Sequence, residues 1–378
     1  MRKKLYFALG LIIAAVMILS SCGGSNSGGG TAPPPSGGGG TTAPAAEPED
    51  DGTVYVADIN ITAGELSSPL MAERLKLLEE LGGGRIQTNV YWAGSLVPIP
   101  DVPKALQSGG MTFGNLPTPN YPDILPLTCR ILQLPFMGLQ DPMDSQEIYM
   151  QLLDEFPEIM EEMARFNILP LSVATLGMYD LHFNDKVKEI RLPGDLDGRK
   201  MVPFNLTFLP IFEANNAAGS YIPPGQMYEN LEKGMVDGYI NNWAFARKFG
   251  LTDLVEQHMQ FGDYGAFHEF NLLVINLDYY NSLPADIQKI WVDVFRTTGG
   301  YKDVWGDEVY LTEIEIAAAK DKDDLITTLT PEEYQVWKDA LLPQHTVVLD
   351  EICAARGDNV AYDIYERAKE IISEKYGS

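Results

Sequence analysis

The sequence predicts an α/β protein built as two domains. Three observations carry this. Short β-rich runs alternate with helical ones along the chain from residue 53 onward, the pattern of strands joined by helical crossovers. That stretch exceeds the ~250–300 residues at which a single hydrophobic core stops growing. Hydrophobic residues make up 45% of the chain and aromatics 10%, values typical of packed globular domains.

The elements follow in order. Residues 53–60 (TVYVADIN) read as a strand. Ser67 or Ser68 caps the next helix and Pro69 fills its first turn. Met71, Leu75 and Leu78 then recur at helical spacing, and Gly82-Gly83-Gly84 stops the run. Residues 85–92 (RIQTNVYW) alternate as a strand does. A short helix over 103–107 ends at Gly109-Gly110, and a short strand covers 111–114. Residues 145–166 are helical with Pro157 inside, which predicts a kink or two helices. A buried strand covers 168–175; 199–203 and 221–223 are strand-like. Residues 226–233 form a helix closed by Gly234. Residues 270–276 (FNLLVIN) are a continuous apolar strand. Helices over 284–295, 307–320, 331–341 and 349–375 finish the chain. There is no internal repeat of fixed period.

The amino terminus is a separate region. Arg2, Lys3 and Lys4 precede an apolar run over 5–19, and then comes Leu19-Ser20-Ser21-Cys22. This resembles a bacterial lipoprotein signal, which implies removal of residues 1–21 and lipidation of Cys22. The alternative is an uncleaved anchor helix with a chance cysteine, although the run falls short of the ~20 residues a spanning helix needs. Residues 23–51 are nearly all Gly, Ser, Thr, Pro and Ala and end in Glu47-Pro48-Glu49-Asp50-Asp51. Such a segment buries too little apolar surface to order itself, and as a tether its mean reach is on the order of 30 Å.

A formal net charge of −26 argues against nucleic acid and against charge-driven binding to anionic lipid. Cys129 and Cys353 are far apart in sequence; they can pair in an oxidising compartment or stand as two buried thiols. The four histidines, His182, His258, His268 and His345, fall in no H-E-x-x-H arrangement, and G-x-S-x-G and G-x-x-x-x-G-K-[ST] are absent. Asp195-Leu196-Asp197-Gly198 resembles the start of a calcium loop but lacks its twelfth-position acid. His268-Glu269 has no nucleophile or metal partner in sequence. No cofactor, metal or catalytic activity is expected, and a hydrolase or an adhesive surface lipoprotein is the competing class.

Five segments occur in order: Gly84-Arg85-Ile86-Gln87 leading to Ala93-Gly94-Ser95-Leu96; Leu134-Pro135-Phe136; Leu192-Pro193-Gly194-Asp195-Leu196-Asp197-Gly198-Arg199-Lys200-Met201; Gln226 through Gly238, with Tyr228, Leu231, Gly234 and Asp237; and Leu273-Val274-Ile275-Asn276 followed by Leu283-Pro284-Ala285-Asp286. Together they resemble the DctP-type solute-binding proteins of TRAP transporters. Read without the family, Leu231 is a core contact, Gly234 a helix stop and Gly238 a turn glycine.

The resemblance implies a two-lobed type II periplasmic-binding-protein fold that closes on one small solute and delivers it to a TRAP membrane permease. The expected division is a signal over 1–21, the lipidated cysteine and tether over 22–51, a first lobe over 52–175 with 267–306, and a second over 176–266 with 307–378. The protein would be extracytoplasmic and held to a membrane through Cys22, with no nucleic-acid partner. The family's two carboxylate-binding arginine positions fall here on Val202 and Tyr179. An arginine's planar fork suits a carboxylate, so its absence points to an amine, zwitterionic, neutral or aromatic solute. The alternative is an organic acid held by a relocated Lys200, Arg199 or Arg247. The expected ligand-binding residues are Asn241, Tyr179, Asn115, Phe204, Trp243, Tyr264 and Trp92, with Glu213, Asp180 or Glu269 as counter-charge.

Overall fold

The computed structural model describes residues 52–185, 188–262, 265–297 and 300–377. Cys22, the signal and the tether therefore lie outside the described residues, as does Tyr264. From the amino terminus the chain forms β1 (Tyr55–Asn60), α1 (Pro69–Gly82), β2 (Ile86–Tyr91), α2 (Val102–Ser108), β3 (Phe113–Pro117), α3 (Pro126–Arg130), α4 (Pro142–Glu155), α5 (Pro157–Ala164) and β4 (Ile168–Met178). It continues through β5 (Asp180–Phe183), β6 (Lys200–Pro203), α6 (Leu209–Ala214), β7 (Ala218–Gly219), α7 (Met227–Glu232), β8 (Gly238–Asn241), α8 (Trp243–Lys248), β9 (Gln257–Gln260) and β10 (His268–Asn276). It ends with α9 (Leu277–Ser282), α10 (Ala285–Val292), α11 (Gly300–Asp321), β11 (Leu325–Thr328), α12 (Pro331–Arg356) and α13 (Val360–Tyr376).

Local chemistry explains most of these limits. Pro69 opens α1 behind Ser68, and Gly83 closes it at φ 58° with its N–H on the Glu80 carbonyl, a left-handed cap that glycine adopts at low cost. Pro157 divides the long helical stretch into α4 and α5, and the Asp141 carboxylate caps α4 through the Met143 and Asp144 amides. Helix α12 opens on a reciprocal Thr330–Glu333 capping box and runs past Pro343 to Gly357 at φ 78°. The expected break between 341 and 349 thus falls instead after Arg356, where the glycine cap is. The strand expected at 221–223 lies at Ala218–Gly219, where Ala218 N donates to Arg199 O and Ser220 N to Met201 O. Pro223 and Pro224 lack the N–H a strand would need.

The strands make two mixed sheets, ordered β2-β1-β3-β10-β4 and β11-β9-β5-β8-β6-β7. β1 is parallel to β2 and β3, whereas β10 runs antiparallel to β3 and β4. In the second sheet β8 and β6 are parallel while β5 opposes β8 and β9. The opposed strands arise because the chain leaves the first sheet at the end of β4, enters the second at β5, and returns from β9 to β10. All nine residues of β10 are buried, as expected of a strand covered on both faces. Gly238 is not a turn glycine. It opens β8, where a Cβ would sit 2.5 Å from the His182 carbonyl oxygen.

The first sheet carries two cores, one on each face. One gathers Met71, Leu78, Ile86, Phe113 and Trp291; the other gathers Leu116, Ile148, Leu152, Val173 and Val274. The second sheet is filled by Leu181, Phe183, Val202, Phe208, Tyr239 and Met259. The helices divide less cleanly than the strands. α12 places Trp337 and Leu341 in the second-sheet core but Val348, Leu349 and Ile352 in a first-sheet core. α13, expected with the second lobe, buries Ile364, Ala368 and Ile372 in that first-sheet core as well. Its apolar stripe specifies a buried face but not which lobe receives it. Cys129 and Cys353 are free thiols in the same core.

Candidate functional site

The register of the two sheets brings strand carboxyl ends together at their boundary. In the first sheet Asn60 pairs with Gly114, Pro117 with Asn271, and Met178 with His268. β3 and β4 therefore end toward the start of β10, and β1, parallel to β3, points its carboxyl end to the same edge but stops level with Val274. In the second sheet Asp180 pairs with Asn241, Pro203 with Ile240, and Thr328 with Gln260. β6, β8, β9 and β11 therefore end where β5 begins. Only Tyr179 separates β4 from β5. Ligand sites in open α/β sheets lie beyond such strand ends, where the chain crosses over.

On the first-sheet side the polar groups form an amide ladder. Asn115, 4% exposed, accepts from Thr62 N at 2.8 Å and donates to Thr62 Oγ1 at 2.6 Å and to Asn271 Oδ1 at 3.3 Å. Trp92 sits at the end of β2, half-buried against the core under Ala57 and Ile59. A second set of bonds crosses the boundary. Asn205 Nδ2 donates to Gln133 O at 2.7 Å, the Gln133 amide donates to Thr118 Oγ1, and Thr118 Oγ1 donates to Phe270 O at 2.7 Å. Beside it, Phe136 leaves the first-sheet loop at φ 59° and enters the second-sheet core, edge-on to Tyr334 and Phe261. His345 Nε2 meets the Pro135 carbonyl at 2.7 Å. Leu134-Pro135-Phe136 thus serves as an interlobe pin.

The second-sheet side holds ionisable groups. Asp180 is buried, and its two oxygens accept from Phe261 N and Trp243 Nε1, both at 3.0 Å. Burial raises its pKa to about 7 against the opposing pull of those bonds. Trp243 stacks on His258 at 4.3 Å, and His258 Nδ1 lies 2.7 Å from His182 Nδ1. His182 Nε2 lies 3.1 Å from the Asn241 carbonyl oxygen. Burial pushes both histidines down, His258 to about 3, with Lys322 adding to the effect on His258 and His258 adding to that on His182.

Of the residues expected from sequence, Asn115, Tyr179, Phe204, Asn241, Trp243 and Trp92 all stand at or beside these strand ends. Their surroundings differ from the expectation in places. Trp243 has its N–H on Asp180 and its face on His258, so it supports β8 from inside the second lobe. Tyr179 is 1% exposed and lies against Phe267 at 4.3 Å. Phe204 packs on Phe245 at 4.8 Å. Glu213 is exposed on α6, whose buried side carries Ile211 and Phe212, so its carboxylate faces solvent and does not join the group. Asp180 spends both oxygens within the protein. Asn205, Asn271, Asn242 and Thr62 were missed. The signal available for them was position alone, each standing within a few residues of a strand end.

The basic residues are engaged elsewhere. Arg199 pairs with Asp185 at 2.6 Å, Lys200 Nζ donates to Gly234 O at 2.9 Å, and Arg247 lies 3.1 Å from Glu315. Val202 is fully buried in the second core. Among the described side chains, none that is buried belongs to a lysine or arginine. His268, paired in sequence with Glu269, meets Ser145 Oγ at 2.6 Å, and Asp195 accepts from Arg191 N and Leu192 N, which accounts for that loop by a turn.

Residues 70–351 match the family model of the bacterial extracellular solute-binding proteins, family 7, or DctP. The chain belongs to this family. It is 26% identical over 169 residues to a solute-binding protein of Chromohalobacter salexigens, covering 44% of this chain and 48% of the relative. The chain thus spans about half the length of that relative. It is 23% identical over 298 residues to the ectoine-binding periplasmic protein TeaA of Halomonas elongata, covering 76% of this chain and 82% of TeaA. A TRAP solute-binding protein from Rhodoferax ferrireducens, solved with copurified benzoate, superposes at a TM-score of 0.73 over 85% of this chain and 99% of that one, at 17% identity. The DctP fold accounts for the two mixed sheets. Among the described residues no helix is long and apolar enough to cross a membrane.

Proposed function

We propose that this DctP-family chain captures one small solute between its lobes and hands it to a TRAP-type membrane permease, while a lipid on Cys22 holds it to the membrane. The strand-end residues Asn115, Tyr179, Phe204, Asn241 and Trp92 border the site, and Trp243 supports it from behind. No covalent step is involved. Binding energy comes from closure of the lobes, which expels water and completes polar contacts. The solute carries no carboxylate that needs a cationic partner. One observation supports this above the others: both positions of the family's carboxylate clamp are buried uncharged side chains, Val202 and Tyr179, and the neighbouring cations are spent in other pairs. Burying a carboxylate without a partner costs several kcal/mol.

TeaA shows that a relative can bind a solute outside the dicarboxylates. The reading is tested by small-angle scattering with and without saturating solute. A fall in radius of gyration is expected on binding; an identical profile would contradict closure. Cys22→Ala tests the anchor. The variant should leave the membrane fraction or keep its uncleaved mass, and a membrane-bound protein of unchanged mass would rule the lipid anchor out.

A further inference from the structure

The strand ends carry a polarity that narrows the solute class. The Asn241 Oδ1 accepts from Asn242 N at 2.8 Å, and the Asn242 Oδ1 accepts from Phe245 N at 2.8 Å. A backbone N–H can only donate, so the free end of each side chain is the amino group. In the first sheet the same logic runs through Asn115. Its Oδ1 takes the Thr62 N–H, so its Nδ2 is the donor to Asn271, and Asn271 likewise turns its amino group outward. These three amino groups have no hydrogen-bond partner in the protein, yet none is among the sealed, unsatisfied atoms. They stay accessible on side chains that are 4, 5 and 8% exposed for Asn241, Asn242 and Asn271. Each offers two N–H groups held in a fixed direction.

The acceptors of Asp180 and of four neighbouring amides are consumed. Both oxygens of Asp180 take protein N–H groups, and the carbonyl ends of Asn115, Asn205, Asn241 and Asn242 do the same. An ammonium entering the junction would meet the outward N–H dipoles of the three asparagines, which oppose the attraction of the Glu269 carboxylate buried on the same strand as Asn271. A carboxylate would find donors but no positive charge, in a chain of net charge −26 with Glu269 and Asp180 buried beside it. An uncharged oxygen acceptor carries neither penalty.

We infer that the interlobe junction takes an uncharged solute rich in carbonyl or hydroxyl oxygens, recognised by the amino groups of Asn241, Asn242 and Asn271. This rests on the solute-binding reading above and deepens it, by naming the donor groups that meet the solute.

The test is thermal melting of the full-length protein against matched sets: neutral sugars with their uronates and amino sugars, and aromatic amides with the corresponding acids and amines. Stabilisation by a neutral member over its charged partners is expected. A larger shift from an acid or an amine overturns the inference while leaving solute binding intact. No shift from any class overturns both. Asn241→Asp and Asn271→Asp then test the recognition. Each substitution keeps the engaged Oδ1 and replaces only the amino group, so the unliganded melting temperature serves as the folding control. Binding of the neutral hit should weaken at least ~10-fold in each variant; wild-type affinity in both would overturn the assignment.

Discussion

The two walls of the junction are built from different chemistry. The first-sheet wall is an amide ladder from Thr62 through Asn115 to Asn271, with the Glu269 carboxylate buried on the same strand as Asn271. The second-sheet wall rests on groups that can titrate, with Asp180 holding Trp243, Trp243 on His258, and His258 on His182 behind Asn241. The comparison separates recognition from support. The first wall presents polar groups directly to the junction. The second presents a few amides and fixes them from behind with an aromatic and imidazole stack whose protonation state matters to its geometry. Two imidazole Nδ1 atoms 2.7 Å apart require one donor and one acceptor, so the contact cannot survive when both rings are charged.

The sharpest way to break the contrast is Trp243→Ala. It empties a buried aromatic site and leaves Asp180 Oδ2 without its donor, and should cost about 3–5 kcal/mol in chemical denaturation. A cost below about 1 kcal/mol would mean that the second wall is not held by this stack. On the first wall, Asn115→Ala removes no large volume but orphans Thr62 N and Asn271 Oδ1. A loss of about 1–3 kcal/mol is expected, and it should not vary with pH.

The pH response distinguishes the walls directly. In the unfolded chain His182 and His258 take up protons below about 6.5, whereas in the fold their values are depressed. Their contribution is therefore present above pH 6.5 and lost as pH falls. Asp180 acts oppositely. Raised to about 7 in the fold, it keeps a proton that the unfolded chain releases above about 3.9, so its contribution is lost as pH rises toward 7. Between pH 4 and 6 two histidines oppose one aspartate, and this group should lose about 1 kcal/mol of stability per pH unit of acidification. Comparing denaturation of wild type with His182→Asn/His258→Asn over that range isolates the effect. With Asp180 left alone, the double variant should gain stability on acidification relative to wild type, and parallel curves would remove the stack from the pH response. The smallest effect belongs to Glu213→Ala, within about 0.5 kcal/mol and without influence on solute affinity, because the side chain is exposed. A lost affinity there would return Glu213 to the site.

How much of this was legible in the sequence differs between the same two regions. The first-sheet strands and α1 announce themselves through alternation, the glycine stop and the apolar run of β10. The second sheet is made of short strands, Asp180–Phe183, Gly238–Asn241 and Gln257–Gln260, with His in the interiors of two of them and Asp, Gly, Asn and Gln at their ends. Such runs have neither a clean period nor high strand propensity, and only pairing across the sheet defines them. For the same reason the sequence marked Asn241 and Trp243 as strand-end residues but not the roles that separate them. The contact that turns Trp243 inward comes from Asp180, more than sixty residues away. Glu213 was selected for its charge, and charge on a short helix says nothing of which face is buried. The straddling of α12 and the docking of α13 on the first-sheet core were invisible because an apolar stripe does not name its partner.

The central claim is that this DctP-family protein holds a solute without a cationic clamp. Native mass spectrometry of the protein as purified from its own cells, followed by release and identification of the retained molecule, tests it most directly. The account predicts a retained small molecule with no carboxylate, bearing carbonyl or hydroxyl oxygens. A retained uronate, aromatic acid or dicarboxylate would contradict it.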